Sequence, residues 1–242
     1  MAFPIVQATE ESNSPIAETS HIVKIPGGVE QSDLVIIHFG HAQAVSLNAL
    51  TDWTELVDVS STNAEFIIYR YWDSSPPPAT IQLTTSGNTK GSMIAWRISG
   101  AINAPEHSTV ATGTSTSPNA TTCTPTGGAK DYLWISVFNQ AGEEADDDTW
   151  CTAAPPSPPV AFTNLLMKSS GTAGAVSTNC QNAGATANLN AASLDAGSFT
   201  TVQSLAWRAY TIAIHPAPPI FVDDDDFPHT QFPDASVVTV YQ

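Results

Sequence analysis

The residues that could do chemistry are few, and their spacing limits what they can do. His38 and His41 lie in the stretch His38-Phe39-Gly40-His41, at the end of an apolar run. Side chains alternate between the faces of a strand, so two residues three apart point in opposite directions. A single metal ion needs convergent ligands, so the pattern predicts two structural histidines. The stretches Glu143-Glu144-Ala145-Asp146-Asp147-Asp148 and Asp223–Asp226 supply clustered oxygens of the kind that calcium favours. Neither has the ordered spacing of an EF-hand loop, and both read as solvated acidic loops. Cys123, Cys151 and Cys180 are odd in number and widely spaced. They form no zinc pattern and read as free thiols, with one pair at most. There is no G-x-S-x-G nucleophile context and no phosphate-cradling glycine motif. No pair of carboxylates can be nominated from spacing for glycoside hydrolysis. The expectation is a protein with no catalytic residues, no metal site and no cofactor, and so not an enzyme. Of the six tryptophans, most fall within strand patterns and read as core. Trp150, beside Cys151 and between acidic and proline-rich stretches, is the best placed for a surface contact, although packing remains the favoured reading.

The elements that hold these residues are strands. Of the 242 residues, 42% are apolar and 12% charged, about half the usual charged fraction of roughly 25%. Ser, Thr, Asn and Gln carry the polar work, which suits strands and turns. Residues 21–26 and 53–59 alternate, and 33–39 is a continuous apolar run of the kind buried on both faces. Further strand patterns cover 65–72, 79–84, 92–98, 131–138, 160–167 and 199–214, the last long enough for two strands. Helix patterns are weak, with short candidates at 47–52 and 188–195. Pro26-Gly27-Gly28, Pro76-Pro77-Pro78, Gly127-Gly128 and residues 155–159 punctuate the runs. About nine strands so spaced predict an all-β, antiparallel, jelly-roll-like β-sandwich over residues 20–216, after an N-terminal extension at 1–19. An internal echo suggests halves with similar strand logic. Pro-Gly-Gly before Asp33 returns as Thr-Gly-Gly before Asp131, and Ala95-Trp96-Arg97 as Ala206-Trp207-Arg208.

Residues 217–242 break the pattern. They are rich in proline and carry four consecutive aspartates, yet Phe221, Phe227, Phe232, Val238, Val240 and Tyr241 are strong apolar anchors. A solvating tail has little use for such residues. They predict an extended C-terminal arm that docks on a neighbour, ending in a strand added to a sheet edge. An arm that wraps its own domain is the alternative. Formal net charge is −16, which repels phosphate backbones and argues against nucleic acid as a partner. The first residues lack the basic and apolar regions of a signal peptide. No apolar run approaches the 18 residues of a membrane span, so no membrane partner is expected.

Several segments together resemble a broad group of bacteriophage structural proteins with a jelly-roll-like sandwich. His21–Pro26 and Asp33–Phe39 are similar to the group's Pro-Gly-terminated strand and its "GDLLVV"-like strand. Asp52-Trp53-Thr54-Glu55-Leu56 is similar to a "GWTEL" element, Tyr69-Arg70-Tyr71 to a "YR" strand, and Trp96-Arg97-Ile98-Ser99-Gly100 to a strand ending "RISG". Asp131–Val137 and Ala213-Ile214-His215-Pro216 are similar to strands of the group's second half. The glycine before the aspartate in that group is Ser32 here, and the C-terminal arm has no counterpart. The resemblance implies a virion protein made in the host cytoplasm, most readily a capsid decoration (cement) or accessory protein. Its partners would be other copies in a homo-oligomer and the major capsid protein or tail proteins. The alternative is a tail-associated adhesin that recognises host-surface glycan through a loop aromatic such as Trp150.

Overall fold

The computed structural model describes residues 2–61, 63–73, 76–142, 149–156, 159–171 and 179–218, and every regular element among them is a β-strand. The first sheet contains β1 (Ile5–Lys24), β2 (Leu34–His41), β3 (Thr54–Asp58), β4 (Ala64–Tyr71) and β5 (Thr80–Ser99), in the order β1-β5-β2-β4-β3. The second contains β6 (Glu106–His107), β7 (Ala111–Ser115), β8 (Lys130–Ala141), β10 (Thr163–Ser169), β11 (Cys180–Ala191) and β13 (Leu205–Ile214). Its order is β10-β11-β8-β13, with β6 and β7 both pairing along β13. Two short strands, β9 (Cys151–Ala153) and β12 (Thr200–Thr201), form a separate ribbon. All pairings are antiparallel.

The expected antiparallel all-β sandwich is therefore what the chain forms, and three apolar layers hold it. In the middle layer, Leu34, Ile36, Ile94, Trp96 and Ile98 of the first sheet meet Leu133, Ile135, Val137, Ile212 and Ile214 of the second. The outer faces of the central strands are covered as well. Val35, Ile37 and Phe39 pack with Val23 and Leu83, contributed by the far ends of the β1–β5 ribbon. Tyr132, Trp134 and Phe138 pack with Trp150, Phe162 and Phe199 from the loops. This double covering is why β2 reads as an unbroken apolar run, and all eight of its residues are buried.

The structure departs from the sequence reading in several places. Residues 5–19, read as an extension, are the first three-quarters of β1, paired with β5 from Ile5–Ser99 to Lys24–Thr80 with register shifts between Ser14 and Ser20. The run from Gln7 to Ser14 is largely polar although most of it is half-buried or buried, so no apolar alternation marked it as a strand. The patterns at 79–84 and 92–98 belong to one strand, β5. Both helix candidates fall outside any helix, and 188–191 closes β11. The jelly-roll detail is not reproduced by the strand order: residues 5–99 build one sheet and 106–214 the other, with no interleaving along the chain. The internal echo survives in part. β2 and β8 are the inner strands that follow Asp33 and contain Asp131, and each lies beside the strand carrying Ala-Trp-Arg. The register differs, since Arg97 faces Val35 at the start of β2 and Arg208 faces Asn139 near the end of β8.

Candidate functional site

The middle layer turns polar towards one end. Strand alternation places His38 and Gly40 on the same face of β2 as Leu34 and Ile36. Across β4, Glu65 pairs with Gly40, and the Glu65 carboxylate meets His38 Nε2 in a fully buried contact. Burial pushes the Glu65 carboxyl upward, against the opposing pull of His38 and Arg208. Arg208 donates from Nε to the Asn63 carbonyl at 2.8 Å and from Nη2 to Ser61 Oγ at 2.9 Å. From the second sheet, Asn139 Nδ2 donates to Asn63 Oδ1 at 3.1 Å, and Asn182 Nδ2 donates to the Ser92 carbonyl at 2.7 Å. Gly40 has no room for a side chain, because an added Cβ would collide with Asn182 and Asn139. These residues form a buried polar seam between the sheets. His38, Glu65, Asn139 and Asn182 are fully buried, while Asn63 and Arg208 at the edge of the seam line a surface hollow of about 330 Å³.

His41 occupies the opposite face of β2, as the three-residue spacing predicts. Its ring stacks on Phe66 with centroids 4.4 Å apart, and Nδ1 lies 2.7 Å from the Gln43 carbonyl. Burial lowers its pKa to about 4. Among the described residues no group of three or more His, Cys, Asp or Glu could hold a metal ion. The acidic stretches Glu143–Asp148 and Asp223–Asp226 lie outside the described residues. All three cysteines are buried, unpaired thiols. Burial pushes Cys123 and Cys151 up to about 12 and Cys180 to about 11, which leaves them poor nucleophiles.

One hollow at the surface contains an acid–base pair, Glu106 and His215, which lie 109 positions apart in the chain. It measures about 380 Å³ and is lined by Asn103, Glu106, Thr126, Lys130 and His215, among others. His215 Nε2 lies 2.7 Å from Glu106 Oε1, and the Thr126 hydroxyl donates to the same oxygen at 2.8 Å. Burial alone would raise the Glu106 carboxyl, but its donors Thr126 and His215 outweigh that and hold it below the usual range. The carboxylate is thus committed to tying the 126–128 turn to the end of β13. That is a latch, with its basic lone pairs already occupied.

Trp150, the surface aromatic expected of an adhesin, is only 1% exposed and packs edge-on against Phe138 at 5.5 Å. It belongs to the apolar cluster that includes Tyr132, Trp134 and Phe138 of β8 with Phe162 and Phe199, so its loop position in the sequence concealed a core role. It cannot stack a sugar.

The surface best suited to a partner is the free edge of the first sheet. β1 bonds to β5 on one side, and among the described residues no strand pairs with its other side. Its Ile5, Ile16 and Ile22 are 55%, 67% and 52% exposed. The chain's last described residues lie at the start of this edge. Ala217 N donates to the Gly100 carbonyl at 2.8 Å, and Pro216 bridges to Ala101, just beyond the Ile5–Ser99 pair. The predicted docking residues Phe221, Phe227, Phe232, Val238, Val240 and Tyr241 lie outside the described residues. No family model, no curated protein and no solved structure matches the chain.

Proposed function

We propose that the protein is a bacteriophage virion component, a capsid decoration or accessory protein that assembles as a homo-oligomer through its C-terminal arm. The observation that carries this reading is a coincidence of backbone and motif. In the phage group that the sequence resembles, glycines precede the first buried strand and the Trp-Thr-Glu-Leu element, and another ends the Arg-Ile-Ser-Gly strand. The matching residues here are Ser32, Asp52 and Gly100, with φ of 71°, 67° and 69°. Left-handed backbone is uncommon for residues other than glycine. Only five such residues occur in the described chain, and Ser32 and Asp52 are two of them. The turns therefore have the shape that the group's glycines would serve, even where the glycine itself is replaced.

The arrangement of charge and edges supports the same reading. A net charge of −16 suits an outward-facing position away from packaged DNA. The last described residues, Pro216 and Ala217, sit beside Gly100 and Ala101 near the start of β1, a 20-residue strand whose second side has no partner among the described residues. A segment such as Val237-Val238-Thr239-Val240-Tyr241 has the alternation to add as a strand to that edge in a neighbouring copy. Removal of residues 219–242 is expected to leave a folded domain with an unchanged thermal midpoint that is no longer incorporated into particles. Full incorporation of the truncated chain would overturn the arm's role, and absence of the intact chain from purified particles would overturn the virion reading. Hundreds of copies per particle place it on the capsid, whereas a few dozen or fewer place it on the tail.

A further inference from the structure

Lys90 is a buried amine that the fold brings onto a side-chain amide of the opposite sheet. On β5 it shares a face with Ser92, Ile94 and Trp96, which look into the space between the sheets. It is 2% exposed, and its Nζ lies 2.6 Å from Asn179 Oδ1. Asn179 immediately precedes β11, is 1% exposed, and is anchored by its carbonyl, which accepts from Gly142 N at 3.1 Å. Its Nδ2 makes no hydrogen bond among the described residues. The oxygen of this amide is thus engaged by the amine, and its nitrogen is unheld. Cys180, the next residue, bonds across the same gap to the Gly40 carbonyl at 3.1 Å, which keeps the two sheets close at this point.

We propose that Lys90 and Asn179 condense into an intramolecular isopeptide cross-link that joins the two sheets. The uncharged amine attacks Asn179 Cγ, so that a Nζ–Cγ bond forms and the Cγ–Nδ2 bond breaks. One amine hydrogen passes to the departing Nδ2, which leaves as ammonia. No oxidant or reductant is needed, and the product is an ordinary secondary amide. Fixed proximity removes the entropic cost of bringing the groups together. Burial disfavours the ammonium and lowers the Lys90 pKa, which raises the share of the reactive form. The same burial keeps water from hydrolysing the product. The link would span 89 positions of sequence and connect the first half of the chain to the second.

The test is the intact mass of the purified full-length chain, followed by peptide mapping. The expected result is a mass lower than the sequence mass by one ammonia, together with a branched tryptic peptide containing both Lys90 and Asn179. Trypsin should fail to cut after Lys90. Lys90→Met and Asn179→Ala should each restore the full sequence mass and remove the branched peptide. Ammonia loss without that branched peptide would point to a succinimide at another asparagine and overturn the proposal. So would a wild-type chain that keeps its full sequence mass after prolonged incubation, folded, at mildly alkaline pH.

Discussion

His21 and His41 face the same outer layer of the first sheet, on either side of Phe39, with ring centroids 4.9 Å and 5.9 Å from it. Burial lowers both to about 4 from an ordinary 6.5. A depressed histidine pKa means that the unfolded chain binds the proton first. The stability associated with each is therefore complete above pH 6.5 and is lost as pH falls towards 4. Each could account for about 3 kcal/mol over that window, at 1.36 kcal/mol per pKa unit. His21→Gln should accordingly lose less stability than the wild type between pH 7 and pH 4, as measured by urea unfolding. Equal losses in the two proteins would refute the assignment. Glu65 works in the other direction: its raised pKa contributes stability below 4.5 that fades as pH rises, so the comparison between variants is the informative one. At this scale the sequence was informative about direction and poor about partners. The spacing of His38 and His41 gave their opposite faces, but the partner of His38 is 27 residues away on β4 and is set by strand register.

Among the elements, the strands found from sequence are those with large apolar residues, and the longest one missed is β11. Its buried positions include Ala183, Gly184, Ala185 and Ala187, too small to signal a strand. The reason lies in another element: a Cβ on Gly184 would come within 2.7 Å of the Trp96 ring. The tryptophan of β5 occupies the space that β11 leaves, so the pattern of one strand makes sense only beside the other. The first part of β1 escaped notice for a different reason: Thr9 to Ser14 are half-buried or buried yet polar, so no apolar alternation marks them. The open edge of β1 carries its own prediction. Ile16→Lys and Ile22→Lys place charges on an open strand and should weaken the proposed self-association in sedimentation experiments. Neither should change unfolding free energy by more than about 0.5 kcal/mol, as expected for surface positions. Unaltered association in the double variant would remove β1 as the docking edge.

For the whole molecule, the arrangement that matters is the division of the chain into two successive sheets. Among the described residues, their inner faces cover each other, with Leu34, Ile36, Trp96 and Ile98 on one side and Leu133, Ile135, Ile212 and Ile214 on the other. The boundary falls between Ser99 and Glu106, in the short connection from β5 to β6. Residues 1–104 expressed alone should aggregate, whereas co-expression with residues 105–242 should recover soluble, paired halves detectable by co-purification. A soluble monomeric N-terminal half would contradict this dependence. The sandwich class was legible from strand count and turn spacing, but the assignment of each half to its own sheet was not, because hydrophobic alternation says which face is buried and not what lies against it.

The same division has a consequence during synthesis. The first sheet leaves the ribosome with its apolar inner face complete, and its cover is not finished until β13 has emerged. At 5–20 residues per second that wait is roughly ten seconds, long enough for nascent chains on one polysome to meet face to face. The order of the two halves thus makes the production of this protein more sensitive to translation rate and chaperone supply than its finished stability would suggest.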